Sequence, residues 1–266
     1  MKKLFLLTCS VILTTGMLFA QKTEKRTVSN FSGIKARSIF DITVKKGDVT
    51  SVVITADENV LPFVITEVNN GILKLSVKNY QKNIKVLKAN ITVQQLSDIE
   101  LSGACKLVCE DLLTGRELDI YLSGASYIKL SFSGDKLKFY GAGASKLEID
   151  AMVKKLSSEV FGSSNVILHI PDVQVAEFEA SGASKQVITG KAETAKFEIS
   201  GVARITAKTL TVNRAQIDAS GASSLNDIEV TDKLEVTAWG TSKVSYKGNP
   251  RTQLNRSGAS SIKSKK

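Results

Sequence analysis

Nine glycines, Gly103, Gly124, Gly143, Gly162, Gly182, Gly201, Gly221, Gly240 and Gly258, stand 21, 19, 19, 20, 19, 20, 19 and 18 residues apart. Most sit in a tetrad of small residues, of which Ser123-Gly124-Ala125-Ser126 and Ser181-Gly182-Ala183-Ser184 are the plainest. So steady a period marks a protein built from stacked copies of one supersecondary unit, and it limits the fold before any other feature is read.

Counting outward from each glycine shows what the unit is. Four residues before it stand Ile99, Ile120, Phe139, Ser158, Phe178, Phe197, Ile217, Val236 and Leu254. Four residues after it stand Leu107, Ile128, Leu147, Val166, Gln186, Ile205, Leu225, Val244 and Ile262. Only Ser158 and Gln186 are polar, while odd offsets are largely polar, which is the period-two signature of a half-buried strand on both sides of the glycine. Each repeat therefore reads as strand, glycine-centred corner, strand and a second, less regular connection; Gly115, Gly134, Gly190 and Gly248 fall in some of those connections. A meander of hairpins would not require a small residue at one offset nine times, whereas in-register stacking does. Two residues after the glycine, seven of the nine copies carry Ser, an inward parity that predicts a column of buried hydroxyls. Parallel coils joined by crossovers are right-handed. The sequence thus predicts an all-β chain, a right-handed parallel β-solenoid (β-helix) of about nine coils of 19–20 residues, with coils about 4.8 Å apart.

The rest of the chain frames that stack. Residues 1–20 read as a secretory signal peptide: Met1-Lys2-Lys3 is basic, Leu4 to Phe19 is apolar, and the chain turns polar after Ala20. Removing Lys2 and Lys3 leaves 34 Lys+Arg against 26 Asp+Glu, a net +8, and no later segment reaches the ~20 apolar residues of a membrane span. Residues 21–100 are β-rich without the glycine motif and read as a cap that covers the first coil of a solenoid over 101–266; the whole of 21–266 reads as one continuous domain. Within the cap, Asn70-Gly71 between two apolar runs predicts a two-residue hairpin. Asp57 to Leu61 predicts a helical turn that Pro62 disturbs.

The chain resembles the GIN-domain family, the head domain ascribed to bacterial auto-transporter adhesins. The resemblance rests on the Ser-Gly-Ala-Ser repeat and on Phe31-Ser32-Gly33-Ile34 followed by Phe40-Asp41-Ile42-Thr43-Val44. It implies an exported solenoid and transfers no catalytic residue set.

Candidate chemistry lies on the outward offsets. Three residues after the glycine come Lys106, Lys146, Lys185, Arg204 and Lys243, a basic ladder able to attract polyanions. Three residues before it come Glu100, Glu159, Glu179, Glu198 and Asp218, the last four on consecutive coils. Carboxylates stacked at coil spacing repel, which raises the question of a cation, although Ca²⁺ wants six to eight oxygens and no calcium-repeat motif is present. His169 reads as an ordinary strand residue, and Cys105 and Cys109 as small core residues out of disulfide reach. Phe161, Trp239, Tyr121 and Tyr140 interrupt the repeat and could stack on sugar rings. No cofactor or metal motif, phosphate loop or Ser-His-Asp set is found. The reading is a non-enzymatic exported binding, adhesion or envelope structural module in the periplasm or at the outer surface. Its partner would be a cell-surface glycan, a lipid or another envelope protein rather than nucleic acid. The alternative from another class is a β-helical polysaccharide lyase or hydrolase.

Overall fold

The computed structural model describes residues 21–79 and 83–265; the signal-peptide reading of residues 1–20 lies outside them. The first half carries β1 (Gln21–Arg26), β2 (Gly33–Ser38), β3 (Asp41–Lys46), β4 (Ser51–Asp57), β5 (Val64–Asn69), β6 (Ile72–Val77), β7 (Leu87–Val93), β8 (Asp98–Gly103) and β9 (Lys106–Thr114). The second carries β10 (Glu117–Leu122), β11 (Tyr127–Gly141), β12 (Lys146–Val160), β13 (Asn165–Ala180), β14 (Lys185–Ile199), β15 (Arg204–Ala219), β16 (Ser224–Ala238), β17 (Lys243–Lys247), β18 (Arg251–Arg256) and β19 (Ser261–Ser264). No helix among the described residues is long and apolar enough to cross a membrane.

From β8 onward each coil pairs in parallel with the one before it, as in Lys146↔Asn165 through Val160↔Ala180 between β12 and β13. The chain is a β-solenoid of about nine coils, as the repeat predicts. The corner glycines form one spine: an added Cβ on Gly143 would lie 2.6 Å from the carbonyl oxygen of Gly124, and the same holds from each corner to the next along the stack. Gly143 has φ +76°, a left-handed conformation that a side chain disfavours. The Ala144 amide donates to the Gly124 carbonyl at 2.8 Å, so the corner is both strained for other residues and hydrogen-bonded to its neighbour.

The second connections differ from the expectation. They do not part the two strands of a coil; β11 to β16 run 15 or 16 residues from corner to corner. The bend instead shows as a slip in pairing register, for example between Asp150 and Lys155 of β12. A bulge bends a strand without ending it, which is why no regular turn sequence marks these sites.

The stack also extends into the cap. β2 pairs in parallel with β8 from Gly33↔Asp98 to Ser38↔Gly103, and β3 with β9 from Asp41↔Lys106. On their other side β2 pairs with β6 and β3 with β7. Spatial order thus departs from chain order, with β6 and β7 outside β2 and β3. The antiparallel strands β5, β4 and β1 then close that end. Ser38, at φ +101°, stands where the other coils have glycine. The cap covers the first coil by adding coils to it. Asn70 and Gly71, both at positive φ, make the expected hairpin between β5 and β6. The helical turn falls later than expected, as a 3₁₀ turn over Leu61–Phe63, because Pro62 near its start has no amide to lose there.

Inside, the even-offset columns are the core. Every member of both apolar columns from Ile99 to Val244 is buried, and Ile34 and Ile42 prolong them into the cap. Phe178 and Phe197 stack on successive coils with ring centroids 4.9 Å apart. The two polar exceptions meet each other: the Ser158 hydroxyl donates to Gln186 Oε1 at 3.2 Å, and Gln186 Nε2 donates to the Glu179 carbonyl at 3.1 Å. Leu254 on the last coil is 41% exposed, since nothing among the described residues stacks beyond it. The serine column is buried as predicted. Ser145 and Ser164 bond directly at 3.0 Å, whereas Ser223, Ser242 and Ser260 donate to backbone carbonyls of the coil before.

Candidate functional site

The pleat sends odd offsets outward, so the two strands flanking each corner present two sheet faces. On the face after the corner, parallel register aligns Asp41, Lys106, Tyr127, Lys146, Asn165, Lys185, Arg204, Ser224 and Lys243 into one column. All five residues of the basic ladder are therefore on a single line, but they are not equivalent. Lys106 lies 3.9 Å from Asp41, and Lys146 bonds Glu148 at 2.7 Å while its Nζ sits 5.4 Å from the centroid of the Tyr127 ring. The Glu148 hydrogen bond, ahead of its charge, raises the Lys146 ammonium pKa further. Lys185, Arg204 and Lys243 are exposed and make no ion pair within the described residues. Lys185 and Arg204 are direct neighbours across β14 and β15.

Two of these neutralising groups differ in how visible they were. Glu148 lies two residues beyond Lys146 on the same face, a spacing that strand parity makes legible. Asp41 enters the column only because β3 stacks out of chain order.

On the face before the corner, register aligns Lys35, Glu100, Tyr121, Tyr140, Glu159, Glu179, Glu198, Asp218 and Thr237. Lys35 forms an ion pair with Glu100. Glu198 bonds Lys196 at 2.5 Å, and Asp218 accepts from Gln216 at 3.2 Å. Glu159 and Glu179 have no such partner within the described residues. Partial burial, and then the charges of Glu159 and Glu198 on either side, push the Glu179 carboxyl above its ordinary pKa. A hollow of about 460 Å³ runs along this row, lined by Glu179, Glu198, Asp218 and Trp239. Tyr121, Tyr140 and Phe161 form a continuous aromatic strip on the coils before it, with centroids 6.4 and 5.3 Å apart. No group of three or more His, Cys, Asp or Glu among the described residues is arranged to hold a metal ion.

His169 is exposed beside Asp150, with Nδ1 3.0 Å from the Thr189 hydroxyl. Cys105 and Cys109 are buried free thiols, both pushed up to about 11 mainly by burial. Cys105 donates to the Ser102 carbonyl as Ser126 does to that of Ser123, so it fills the serine site in kind.

A family model described as "Putative auto-transporter adhesin, head GIN domain" matches residues 30–169 and 142–250. The fold is shared with a solved "putative adhesin" from Parabacteroides distasonis ATCC 8503. That protein is 21% identical, at TM-score 0.70, over 92% of this chain and 97% of the other. A "putative adhesin" from Parabacteroides merdae ATCC 43184 is 21% identical at TM-score 0.64, over 92% of this chain and 96% of the other. A protein described as "putative lipid binding protein" from Parabacteroides distasonis ATCC 8503 is 20% identical at TM-score 0.64, over 92% and 97%. These likenesses are ones of fold. No curated protein matches the chain.

Proposed function

The chain belongs to the GIN-domain family of auto-transporter adhesin heads, and on that premise we propose that it is an exported, non-enzymatic adhesion module that holds polyanionic surfaces through its basic column. One observation carries this reading: Lys185, Arg204 and Lys243 share a straight outward column, and no acid within the described residues neutralises them. Cations set along one line, on adjacent coils at Lys185 and Arg204 and two coils further at Lys243, suit a polymer or membrane of repeating negative charge better than a small molecule. The carboxylates a glycan hydrolase would need, Glu179, Glu198 and Asp218 around the hollow on the other face, stay in the regular ladder of the repeat, which supports binding over glycan hydrolysis. Phosphate or sulfate groups are the shared chemistry, and two sources supply them, a sulfated glycan or an anionic lipid headgroup. The fold neighbour described as lipid binding is a reason to test both.

The test is binding to immobilised dextran sulfate and to phosphatidylglycerol vesicles, with neutral dextran and phosphatidylcholine vesicles as controls. Binding to at least one anionic probe that weakens with salt and is lost in Lys185→Gln/Arg204→Gln supports the reading, and the probe bound identifies the source. Indifference of both anionic probes, or binding unaffected by the double substitution, overturns it.

A further inference from the structure

The two outward columns have opposite sign and identical pitch, and they lie at equal offsets on either side of the glycine spine. The column before the corner carries Glu159, Glu179, Glu198 and Asp218 on four successive coils, with no cation in it from Glu100 onward. The column after the corner carries Lys106, Lys146, Lys185, Arg204 and Lys243, with no acid in it from Lys106 onward. The chain itself shows how such columns are satisfied. Where β2 and β3 meet the first coil, the signs reverse: Lys35 faces Glu100 and Asp41 faces Lys106. Further along, Glu198 and Lys146 find Lys196 and Glu148 on their own strands, while Glu159, Glu179, Asp218, Lys185, Arg204 and Lys243 make no ion pair among the described residues and lack the opposite charge.

We propose that a second copy of this chain supplies it, the acidic face of one copy lying on the basic face of the next with their stack axes parallel. Because both columns repeat at the spacing of a coil, about 4.8 Å, aligning one coil aligns the others, and two of the four successive acids meet a cation while Glu159 faces Asn165 and Asp218 faces Ser224. Glu179 then meets Lys185 of the neighbouring copy, and Glu198 meets Arg204. Exposed apolar side chains lie on both faces. Ile167 and Val187 are 46% and 41% exposed on the basic face, and Tyr121 and Tyr140 are 50% and 37% exposed on the acidic one. Contacts of either face with itself bring like charges together and are excluded. What remains is a heterologous contact, which leaves one free face of each kind and so continues beyond a dimer, closing into a ring or extending as a row according to the angle between the two faces. The inference does not rest on polyanion binding, although it uses the same cations.

The experiment is sedimentation equilibrium of the purified protein over a concentration series, at ~0.1 M salt, where the net positive charge is screened beyond about 10 Å, and at ~1 M. The expected result is an average mass that climbs with concentration without a plateau at twice the protomer, and collapses to monomer at high salt. Glu179→Lys/Glu198→Lys and Lys185→Glu/Arg204→Glu should each be monomeric, since each sets like charges against one another at both ion pairs of the contact. Mixed one to one, they should associate again, because the reversed face of one variant complements the reversed face of the other, and the two native faces complement each other. Circular dichroism confirms that both are folded. A wild-type protein that stays monomeric at ~0.1 M salt overturns the proposal. So does undiminished association of either variant, or a mixture of folded variants that fails to associate. Glu179→Lys/Glu198→Lys keeps the basic column, so its binding to dextran sulfate or anionic vesicles separates failure of this inference from failure of the adhesion reading.

Discussion

Replacing Gly143 by Ala probes the stacked spine away from either end. The substitution forces a side chain into φ +76° and puts its Cβ 2.6 Å from the Gly124 carbonyl oxygen and 3.1 Å from the Gly124 nitrogen. Both are backbone atoms held in place by the neighbouring coil. Gly71 is the control: its φ is +73°, and nothing lies within 4 Å of an added Cβ. Gly71→Ala should therefore cost only the left-handed conformation, about 1–2 kcal/mol. Gly143→Ala should cost that plus an overpacking penalty of about 1–3 kcal/mol, or about 2–5 kcal/mol in all. Urea unfolding followed by circular dichroism compares the two midpoints. Hydrogen exchange at the Ala144 and Ser163 amides, which bond the carbonyls of Gly124 and Gly143, localises the damage to the spine. If Gly143→Ala is no more harmful than Gly71→Ala, the corner is not packed against the coil before it.

Three other outcomes follow from the same geometry. Ser158→Ala should cost about 1–3 kcal/mol by stranding Gln186 Oε1 in the core. The double change Ser158→Ala/Gln186→Leu should recover most of that loss, and a double-mutant cycle by thermal melting checks it. Ser38→Gly should stabilise by about 1 kcal/mol, relief of the φ +101° strain exceeding the extra freedom glycine gives the unfolded chain; an unchanged urea midpoint would count against strain there. The raised pKa of Glu179 gives a pH signature. Between its unfolded and folded pKa values the native state binds more protons, so stability falls as pH rises through that window. Glu179→Gln should therefore melt above wild type at pH 7 and lose its advantage in acid; an equal advantage at all pH would refute the electrostatic cause.

Much of this fold was legible because its constraint is both local and repeated. A residue four places from a glycine points inward whatever the rest of the chain does, and nine copies made the parity unmistakable. The same pattern surrounds Ser38, with Ile34 four residues before it and Ile42 four after it. Glycine was the marker for a corner, so a serine held at positive φ escaped notice. With it went the coil that β2 and β3 add, and hence the pairing of Lys35 with Glu100 and of Asp41 with Lys106. Those contacts join residues 65 apart, and no local signal announces them. The bends opposite the spine were illegible for another reason: glycine is required at some, where a Cβ on Gly134, Gly190 or Gly248 would run into a carbonyl oxygen of the preceding coil, but β12, β13, β15 and β16 bend without one, so no residue recurs there. In the candidate site the two ladders could be read from offsets alone. Which of the five cations stay unneutralised depended on the neighbouring coil and on Glu148, and so emerged only with the register in hand.

Every assignment of a side chain to a face depends on the corners lying on one straight axis. Nitroxide labels on the exposed corner residues test that directly, taking Ala144 as the fixed site and Ala183, Ala222 or Ala259 as the second, with distances read by pulsed electron resonance. The glycine spine predicts separations that grow in equal steps of about 10 Å for every two coils, reaching roughly 29 Å at Ala259. Unequal steps, or an Ala259 label no farther from Ala144 than the Ala222 label, would contradict a single stack.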